Sequence, residues 1–324
     1  MTERTLWHPV AQSPEVVTAP LPVQLLDQSL VLWRNAEGLV QAFNDRCPHR
    51  GARLSMGRVE NGSLECPYHG WQFGSGGQCV KVPAVPDFVP PPSQCVKSFE
   101  VQEAYGLVWV RLEASDSQLP VFAAEADTHL RKLNCGPYDV AASAPRIIEN
   151  FLDMSHFGFV HEGWLGSRDA TAMASYKVEA TANGVLATGC KAVQPQSNLH
   201  STQAAEVEYT YEVTAPYTAL LTKIPEEGSS KQGWRESIGL FICPVTAESS
   251  RVWFRLAVAD FESSDEQLQT FQHTIFVQDQ PVLESQLPKA LPLDPRAEMH
   301  SSADRMSAAY RRFLKSQAIT FGVC

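Results

Sequence analysis

The sequence predicts an α+β protein in two parts, a β-rich domain over residues 1–115 and a part that mixes strands with helices over residues 116–324. Three observations point there. Up to Leu112 the apolar residues fall in short runs between turn signals, as strands do. Residues 113–120 interrupt that pattern with a polar stretch closed by Pro120. Beyond it, strand-like runs lie between one early helical segment and two late ones, and 324 residues suffice for two cores of about 150 residues each.

In the first part, strands are expected over residues 30–33, 39–43, 99–102 and 107–112, the last two meeting across Gly106. A turn falls at Gly74-Ser75-Gly76-Gly77, and Pro83, Pro86, Pro90, Pro91 and Pro92 favour an extended covering loop. In the second part, Pro145 in a first turn opens a helix over residues 146–156. Strands follow over 174–180, 185–192, 206–214, 237–243 and 251–259, and helices over 264–286 and 302–315.

Composition narrows the function. Hydrophobic content of 44% and charged content of 19% are ordinary for a globular domain. A net charge of −10 with no Lys/Arg cluster argues against nucleic acid or an anionic membrane as partner, and is compatible with a neutral or cationic small molecule. No apolar run reaches the roughly 18 residues of a membrane span, and Met1-Thr2-Glu3-Arg4 does not open a secretory signal, so a cytoplasmic setting is expected. Eight scattered cysteines fit reduced thiols there.

Two short motifs carry chemistry in the first part. Cys47-Pro48-His49 and Cys66-Pro67-Tyr68-His69 each put one cysteine and one histidine on a loop, with sixteen residues between His49 and Cys66. A turn-forming glycine, Gly51 or Gly70, follows each histidine. This is the ligand set of a Rieske [2Fe-2S] centre, in which two thiolates hold one iron and two imidazoles the other. The imidazoles lift the reduction potential to roughly −150 to +300 mV, from about −400 mV for an all-cysteine plant-type cluster. Structural zinc also takes two cysteines and two histidines, but zinc fingers usually supply a cysteine pair before a histidine pair. An electron relay is the first expectation, which a colourless zinc protein would reverse.

The second constellation starts in the early helix, where residues 149–161 include Asn150, Asp153, His156 and His161. Histidines five apart lie about 140° apart on a regular helix, so the chain must bend for both to face one metal, and Gly158 permits that. Alone, such a pair is more often packing or surface. A mononuclear non-haem iron also needs a carboxylate on the same face, leaving positions open for dioxygen and substrate. The late helix offers Asp279, inside the stripe Phe271, Ile275, Asp279 and Leu283. A carboxylate there is costly unless compensated, and a dication compensates it directly. A buried basic partner, or a helix rotated to expose Asp279, are the alternatives. Pro281 is expected to distort this helix.

Nearby acids read differently. Asp265 and Glu266 follow a Ser264 cap that Gln267 completes as a capping box, and Glu284 lies off the apolar stripe. Asp153, three residues before His156 and on its helical face, either accepts the second ring proton of that histidine or is a solvated surface carboxylate. Asn150, one turn earlier, approaches the metal or serves in capping or packing.

Together these residues resemble the catalytic α subunit of the Rieske non-haem iron oxygenases, over essentially the whole chain. Cys47, His49, Cys66 and His69 match the cluster motif, and Asn150, Asp153, His156 and His161 match the iron-site helix. Asp279 matches the late carboxylate by its place in the penultimate helix. The resemblance implies a Rieske β-domain over residues 1–115 and a helix-grip (START-like) catalytic domain over residues 116–324. It implies a [2Fe-2S] cluster, a mononuclear Fe(II), O2 as co-substrate, and NAD(P)H electrons arriving through a flavin/iron-sulfur reductase or a ferredoxin. It also implies a head-to-tail homotrimer in which His69 of one chain meets Asp153 of the next, with Asp153 reaching His156. Among subgroups, the single-subunit vanillate and dicamba demethylases are similar. The saxitoxin-type tricyclic alkaloid hydroxylases are more so, through Leu54-Ser55-Met56-Gly57, residues 66–71, Ser155-His156-Phe157, His161-Glu162-Gly163, Tyr310-Arg311-Arg312 and Phe321-Gly322-Val323-Cys324.

The expected reaction is monooxygenation, C–H hydroxylation of a small organic substrate, which on the most similar subgroup is a tricyclic guanidinium alkaloid. The alternative is demethylation of a methoxy-aromatic or N-methyl compound, since hydroxylation of such a methyl collapses to formaldehyde. Two rivals stand outside this class. A pure electron-transfer protein would need only about the first 115 residues, and a non-catalytic ligand-binding domain would keep the pocket without the activity. The glycines at 74–77 sit between strands, not at a strand-to-helix turn, so the reductase is a separate protein. Which of Tyr209, Tyr211, Leu220, Leu240, Phe241, Ile242, Trp253 and Phe254 face a pocket stays open, because a strand alternates its faces.

Overall fold

Short alternating segments build the first part of the chain. The computed structural model describes residues 1–196, 198–201, 203–224 and 235–324, and it divides into residues 3–119 and residues 120–324, the latter with residues 1–2.

The first unit holds β1 (His8–Gln12), β2 (Leu21–Leu25), β3 (Gln28–Arg34), β4 (Val40–Asn44), β5 (Arg58–Glu60), β6 (Ser63–Glu65), β7 (Gln72–Phe73), β8 (Cys79–Lys81), β9 (Ser98–Ala104) and β10 (Leu107–Arg111). Six of them form an antiparallel sheet in the order β1-β10-β9-β4-β3-β2, and β5 to β8 form a second sheet in sequence order. Val31, Trp33 and Phe43 of the larger sheet share a core with Leu54, Leu64 and Phe73, and Cys47 and Cys66 belong to that same core. Each large apolar side chain so buried contributes about 1.5–3 kcal/mol. The bases of both cysteine loops are therefore anchored in a buried apolar core of the unit.

The sequence showed only β3, β4, β9 and β10 of these strands. Strands β5 to β8 are two or three residues long, too short for alternation to register, and β1 and β2 each contain a proline. Residues 82–94 are irregular, and Pro83 lies 3.1 Å from where a side chain on Gly70 would begin, as a covering loop should.

The second unit holds β11 (Arg131–Val140), α1 (Ala144–Leu152), α2 (Phe157–Val160), β12 (Lys177–Ala180), β13 (Val185–Gln194), β14 (Ala205–Ala215), β15 (Thr218–Ile224), β16 (Ser237–Thr246), β17 (Ser249–Val258), α3 (Asp265–Ser285) and α4 (Arg305–Ser316). Among the described residues its strands form one antiparallel sheet in the order β11-β17-β16-β15-β14-β13-β12. The sequence missed β11 and β15. In β11 the register shifts between Cys135 and Tyr138, across Gly136-Pro137, and this breaks the alternation. β15 follows β14 after only two residues, too short a break in the sequence to mark a new strand.

Helix boundaries moved too. The early helix was expected over 146–156, but α1 starts at Ala144 under a Ser143 cap and ends at Leu152, with Asp153 already extended (φ −92°, ψ 126°). The Ser264–Gln267 capping box opens α3 as expected, and the helix runs through Pro281 to Ser285. α3 packs on β11 and α1. Buried ion pairs join α1 to α4: Arg311 binds Glu149 at 2.6 Å, and Glu298 binds both Arg146 (2.6 Å) and Arg311 (2.5 Å). Breaking one such pair strands a buried charge at a cost of about 3–5 kcal/mol, so α1 is fixed in place.

Candidate metal centres and the adjoining cavity

The two cysteine loops are built alike. Cys47 N–H donates to Ala52 O at 2.8 Å and Gly51 N–H returns to Cys47 O at 2.9 Å; Cys66 N–H donates to Trp71 O at 2.8 Å and Gly70 N–H returns to Cys66 O at 3.1 Å. Both glycines take positive φ, +74° and +69°, which a larger side chain resists. The result pairs like with like. The Cys47 and Cys66 thiols lie within hydrogen-bonding reach, and the His49 and His69 rings are 4.7 Å apart.

These groups fit an iron-sulfur cluster better than one zinc ion. Among the described residues, only His156, His161 and Asp279 bring three ligand atoms within 4.8 Å of one another, so the four loop ligands do not converge as a tetrahedral zinc requires. His49 Nδ1 is buried with no hydrogen-bond partner among the described residues, as a nitrogen reserved for a metal would be. Burial, then the charges of His69 and Arg50, push His49 below its ordinary pKa, which favours the neutral imidazole that a metal takes. Burial pushes the Cys47 thiol up to about 11, so a neighbouring cation is needed to ionise it at neutral pH. Trp71 stacks on His49 at 4.5 Å, while His69 is exposed.

At the second site the bend comes earlier than the sequence suggested. The chain turns at Asp153, just past α1, and His156 and His161 bracket the one-turn α2 at its two ends. Asp153 and His156 therefore do not share a helical face, yet Asp153 Oδ2 still lies 3.3 Å from His156 Nδ1. Gly158 has a different job from the expected hinge. A Cβ there would sit 2.8 Å from Ser167 O, so its smallness permits close packing of the 157–167 loop.

α3 brings Asp279 to the histidines. Its Oδ1 lies 3.3 Å from His156 Nε2 and 3.2 Å from His161 Nε2, and Asn150 Nδ2 donates to it at 3.2 Å. Asp279 is 7% exposed and His161 1%. On its far side His161 Nδ1 meets Gln278 Oε1 at 2.8 Å. With Asp153 and Gln278 accepting the Nδ1 protons, both Nε2 atoms face Asp279, so a cation that displaced the Nε2 proton of His156 would find both rings aimed at it. Burial works against charge at His156, but hydrogen bonds to Asp153 and Asp279 lift its pKa to about 9. Burial likewise opposes a charged Asp279, and the two imidazoles bring it down to about 2. Burial also works on Asp153, which His156 and Ser155 hold below the usual carboxylate value. The space between these groups is electrostatically prepared for a cation. Two histidines and one carboxylate, open on the cavity side, fit iron of the kind that activates dioxygen.

The triad lies in the wall of a cavity closed by the sheet. Tyr209, Tyr211, Leu240 and Phe254 of the sheet line it, together with Phe151 of α1 and Phe276 of α3. Phe241 and Trp253 point the other way, into the core. Other acids have structural partners: Glu284 accepts from Ala141 N and Gln280, and Asp265 pairs with Arg131. Sequence reasoning missed two polar residues. Gln278 hides beside Asp279 and shows only when α3 meets α2, while Gln194 ends an alternating strand and reads as surface until its 1% exposure is seen.

Comparison with known proteins agrees with this geometry. Residues 6–100 match the Rieske [2Fe-2S] domain family, and residues 140–318 match the vanillate O-demethylase oxygenase C-terminal domain family. Methylxanthine N1-demethylase NdmA of Pseudomonas putida is 33% identical over 323 residues, 96% of this chain and 88% of that protein. Probable methylxanthine N7-demethylase NdmC of Pseudomonas sp. (strain TJI-51) is 38% identical over 220 residues, 67% of this chain and 77% of that protein. The solved structure of Pseudomonas putida CBB5 NdmA with caffeine matches with a TM-score of 0.86 and 32% identity, over 97% of this chain and 90% of that one. These relatives are demethylases, so of the two reactions left open they favour demethylation over alkaloid hydroxylation. They lend no support to the saxitoxin-type subgroup.

Proposed function

The chain belongs to the Rieske non-haem iron oxygenases as a catalytic subunit, and from that premise we propose that it removes an N-methyl group from a small, flat, uncharged heterocycle. Such oxygenases work with a Rieske [2Fe-2S] cluster, a mononuclear iron, dioxygen and electrons from a reductase or ferredoxin, on small molecules.

The observation that carries the reading is the cavity wall beside the triad. It offers aromatic faces at Phe151, Tyr211 and Phe254, amide and phenol groups, one ammonium at Lys223 that is itself engaged by a neighbour, and no carboxylate besides Asp279 among the described lining residues. A guanidinium alkaloid needs carboxylate partners, because a buried cation is costly unless paired. A neutral ring needs apolar faces and a few well-placed hydrogen bonds. The likeness to methylxanthine N1-demethylase over 96% of the chain supports the same class.

When bound, the iron supplies the dioxygen chemistry: one oxygen atom enters a C–H bond of the N-methyl group, two electrons and two protons take the other to water, and the N–CH2OH product sheds formaldehyde. In this reading Cys47 and Cys66 hold one cluster iron, His49 and His69 the other, and His156, His161 and Asp279 the mononuclear iron. Asp153 and Gln278 keep the two Nδ1 protons in place, and Asn150 steadies Asp279. Residues 1–115 act as the electron-relay domain and residues 116–324 as the catalytic domain, in the cytoplasm. The functional unit is a head-to-tail homotrimer in which His69 meets Asp153 of the partner subunit. The exposure of His69 and the 29% exposure of the Asp153 side chain support this. Asp153→Ala is expected to keep both metals and slow transfer between them, and unchanged single-turnover and steady-state rates would remove the bridge.

With a compatible reductase, caffeine is expected to stimulate oxygen uptake and to release one formaldehyde per methyl lost. Stimulation by 4-methoxybenzoate alone would turn the reading to O-demethylation.

A further inference from the structure

We propose that the side-chain amide of Gln194 is the specificity-determining donor of the cavity, selecting substrates that carry a ring carbonyl oxygen of the lactam or cyclic-urea kind. This rests on the N-demethylation reading and deepens it.

Gln194 closes β13, is 1% exposed, and lines the same cavity as His156, His161 and Asp279. Its Oε1 accepts a hydrogen bond from the Tyr209 hydroxyl at 2.7 Å. Its Nε2 is buried with no hydrogen-bond partner among the described residues. The Tyr209 bond settles which end of the amide is which. With the phenol donating, only the NH2 group is left unspent; with the amide reversed, both the phenol proton and Oε1 would lack partners. Two residues along β14, on the same face, the Tyr211 hydroxyl is also buried, in the same cavity and without a partner among the described residues. Burial holds that phenol protonated, so it too can donate.

Buried polar groups are nearly always hydrogen-bonded, and a pair left over in a cavity beside a metal triad calls for a ligand that completes them. What is left over is donor capacity, so the ligand must bring acceptors. A ring carbonyl is an acceptor lying in the plane of its ring, so one molecule can lay its face on Phe151 or Phe254 while its edge takes the Gln194 N–H. Turning that edge fixes which methyl group faces the triad, and the amide thereby sets position as well as affinity.

The test is calorimetric binding to the full-length anaerobic chain carrying both metal groups, without reductase, so that nothing turns over. The ligands are caffeine, N-methylindole (a flat N-methyl bicycle with no carbonyl) and 4-methoxybenzoate. In Gln194→Leu the preference for caffeine over N-methylindole is expected to fall about 10- to 100-fold, the worth of a lost hydrogen bond to a buried group. Gln194→Glu keeps the acceptor for Tyr209 and the side-chain shape but replaces the donor, and is expected to lose that preference as well. The cluster absorbance of each variant reports that it has folded. If caffeine binds and neither substitution changes the preference, or both ligands weaken alike, Gln194 is only part of the wall and the inference is overturned. If the wild type takes 4-methoxybenzoate and not caffeine, the N-demethylation reading itself fails and the inference falls with it.

Discussion

At the cysteine loops the ligands ride at turn tips, with Cys47 and Cys66 sunk in the core but His69 exposed, whereas at the second site His161 is 1% exposed and Asp279 7%. The first arrangement keeps ring edges near the surface, as exchange of electrons with a partner demands. The second surrounds its ligands with Phe151, Phe157, Phe254 and Phe276, as exclusion of water demands. The supports differ as well. Matched backbone turns hold the loops, and side-chain hydrogen bonds hold the triad, accepted by Asp153 and Gln278 from the histidines and donated by Asn150 to Asp279. Substitutions should therefore injure the two sites by different routes.

Removing a ligand gives the largest separation. Asp279→Ala is expected to abolish demethylation while the cluster spectrum persists, and Cys66→Ser to bleach the cluster while the mononuclear iron remains. Iron and acid-labile sulfide assays on both variants check this, and loss of both metals from either would erase the contrast. Next comes Gln278→Leu, which removes the acceptor that aims His161. It should cost about 10- to 100-fold in iron affinity or activity, with the cluster unchanged, and Gln278→Glu should restore part.

Acid should reach the first unit through His8, which burial pushes down to about 4 despite its bond to Glu3 O. Between pH 6.5 and 4 the unfolded chain binds a proton there that the folded chain refuses, so stability falls as pH drops through that window. By pH 5 this one group should have withdrawn about 2 kcal/mol. Urea midpoints at pH 7.5 and 5 for wild type and His8→Gln measure it, and equal losses in both would acquit His8. The smallest effect is Gly158→Ala, whose new Cβ would meet Ser167 O at 2.8 Å. We expect about 1 kcal/mol of destabilisation, felt in iron retention and not at the cluster.

What the sequence disclosed tracks how local each feature is. The cluster set is legible because its chemistry lies in two motifs of three and four residues, and the apolar stripe of α3 gave away Asp279. The bend at Asp153 was misplaced onto Gly158, because helical periodicity does not show where a helix stops. Gln278 and Gln194 gained meaning only from neighbours more than a dozen residues away in the chain. Strand β11 escaped notice because Gly136-Pro137 breaks its alternation, and β15 because it follows β14 so closely.

The most direct measurement is a single turnover: the full-length chain with both metal groups is reduced chemically, freed of reductant, given caffeine with 13C-labelled methyl groups, and exposed to air. The account predicts labelled formaldehyde at up to about one per chain, appearing as the cluster reoxidises. Reoxidation of the cluster with every labelled methyl still on the ring would contradict it.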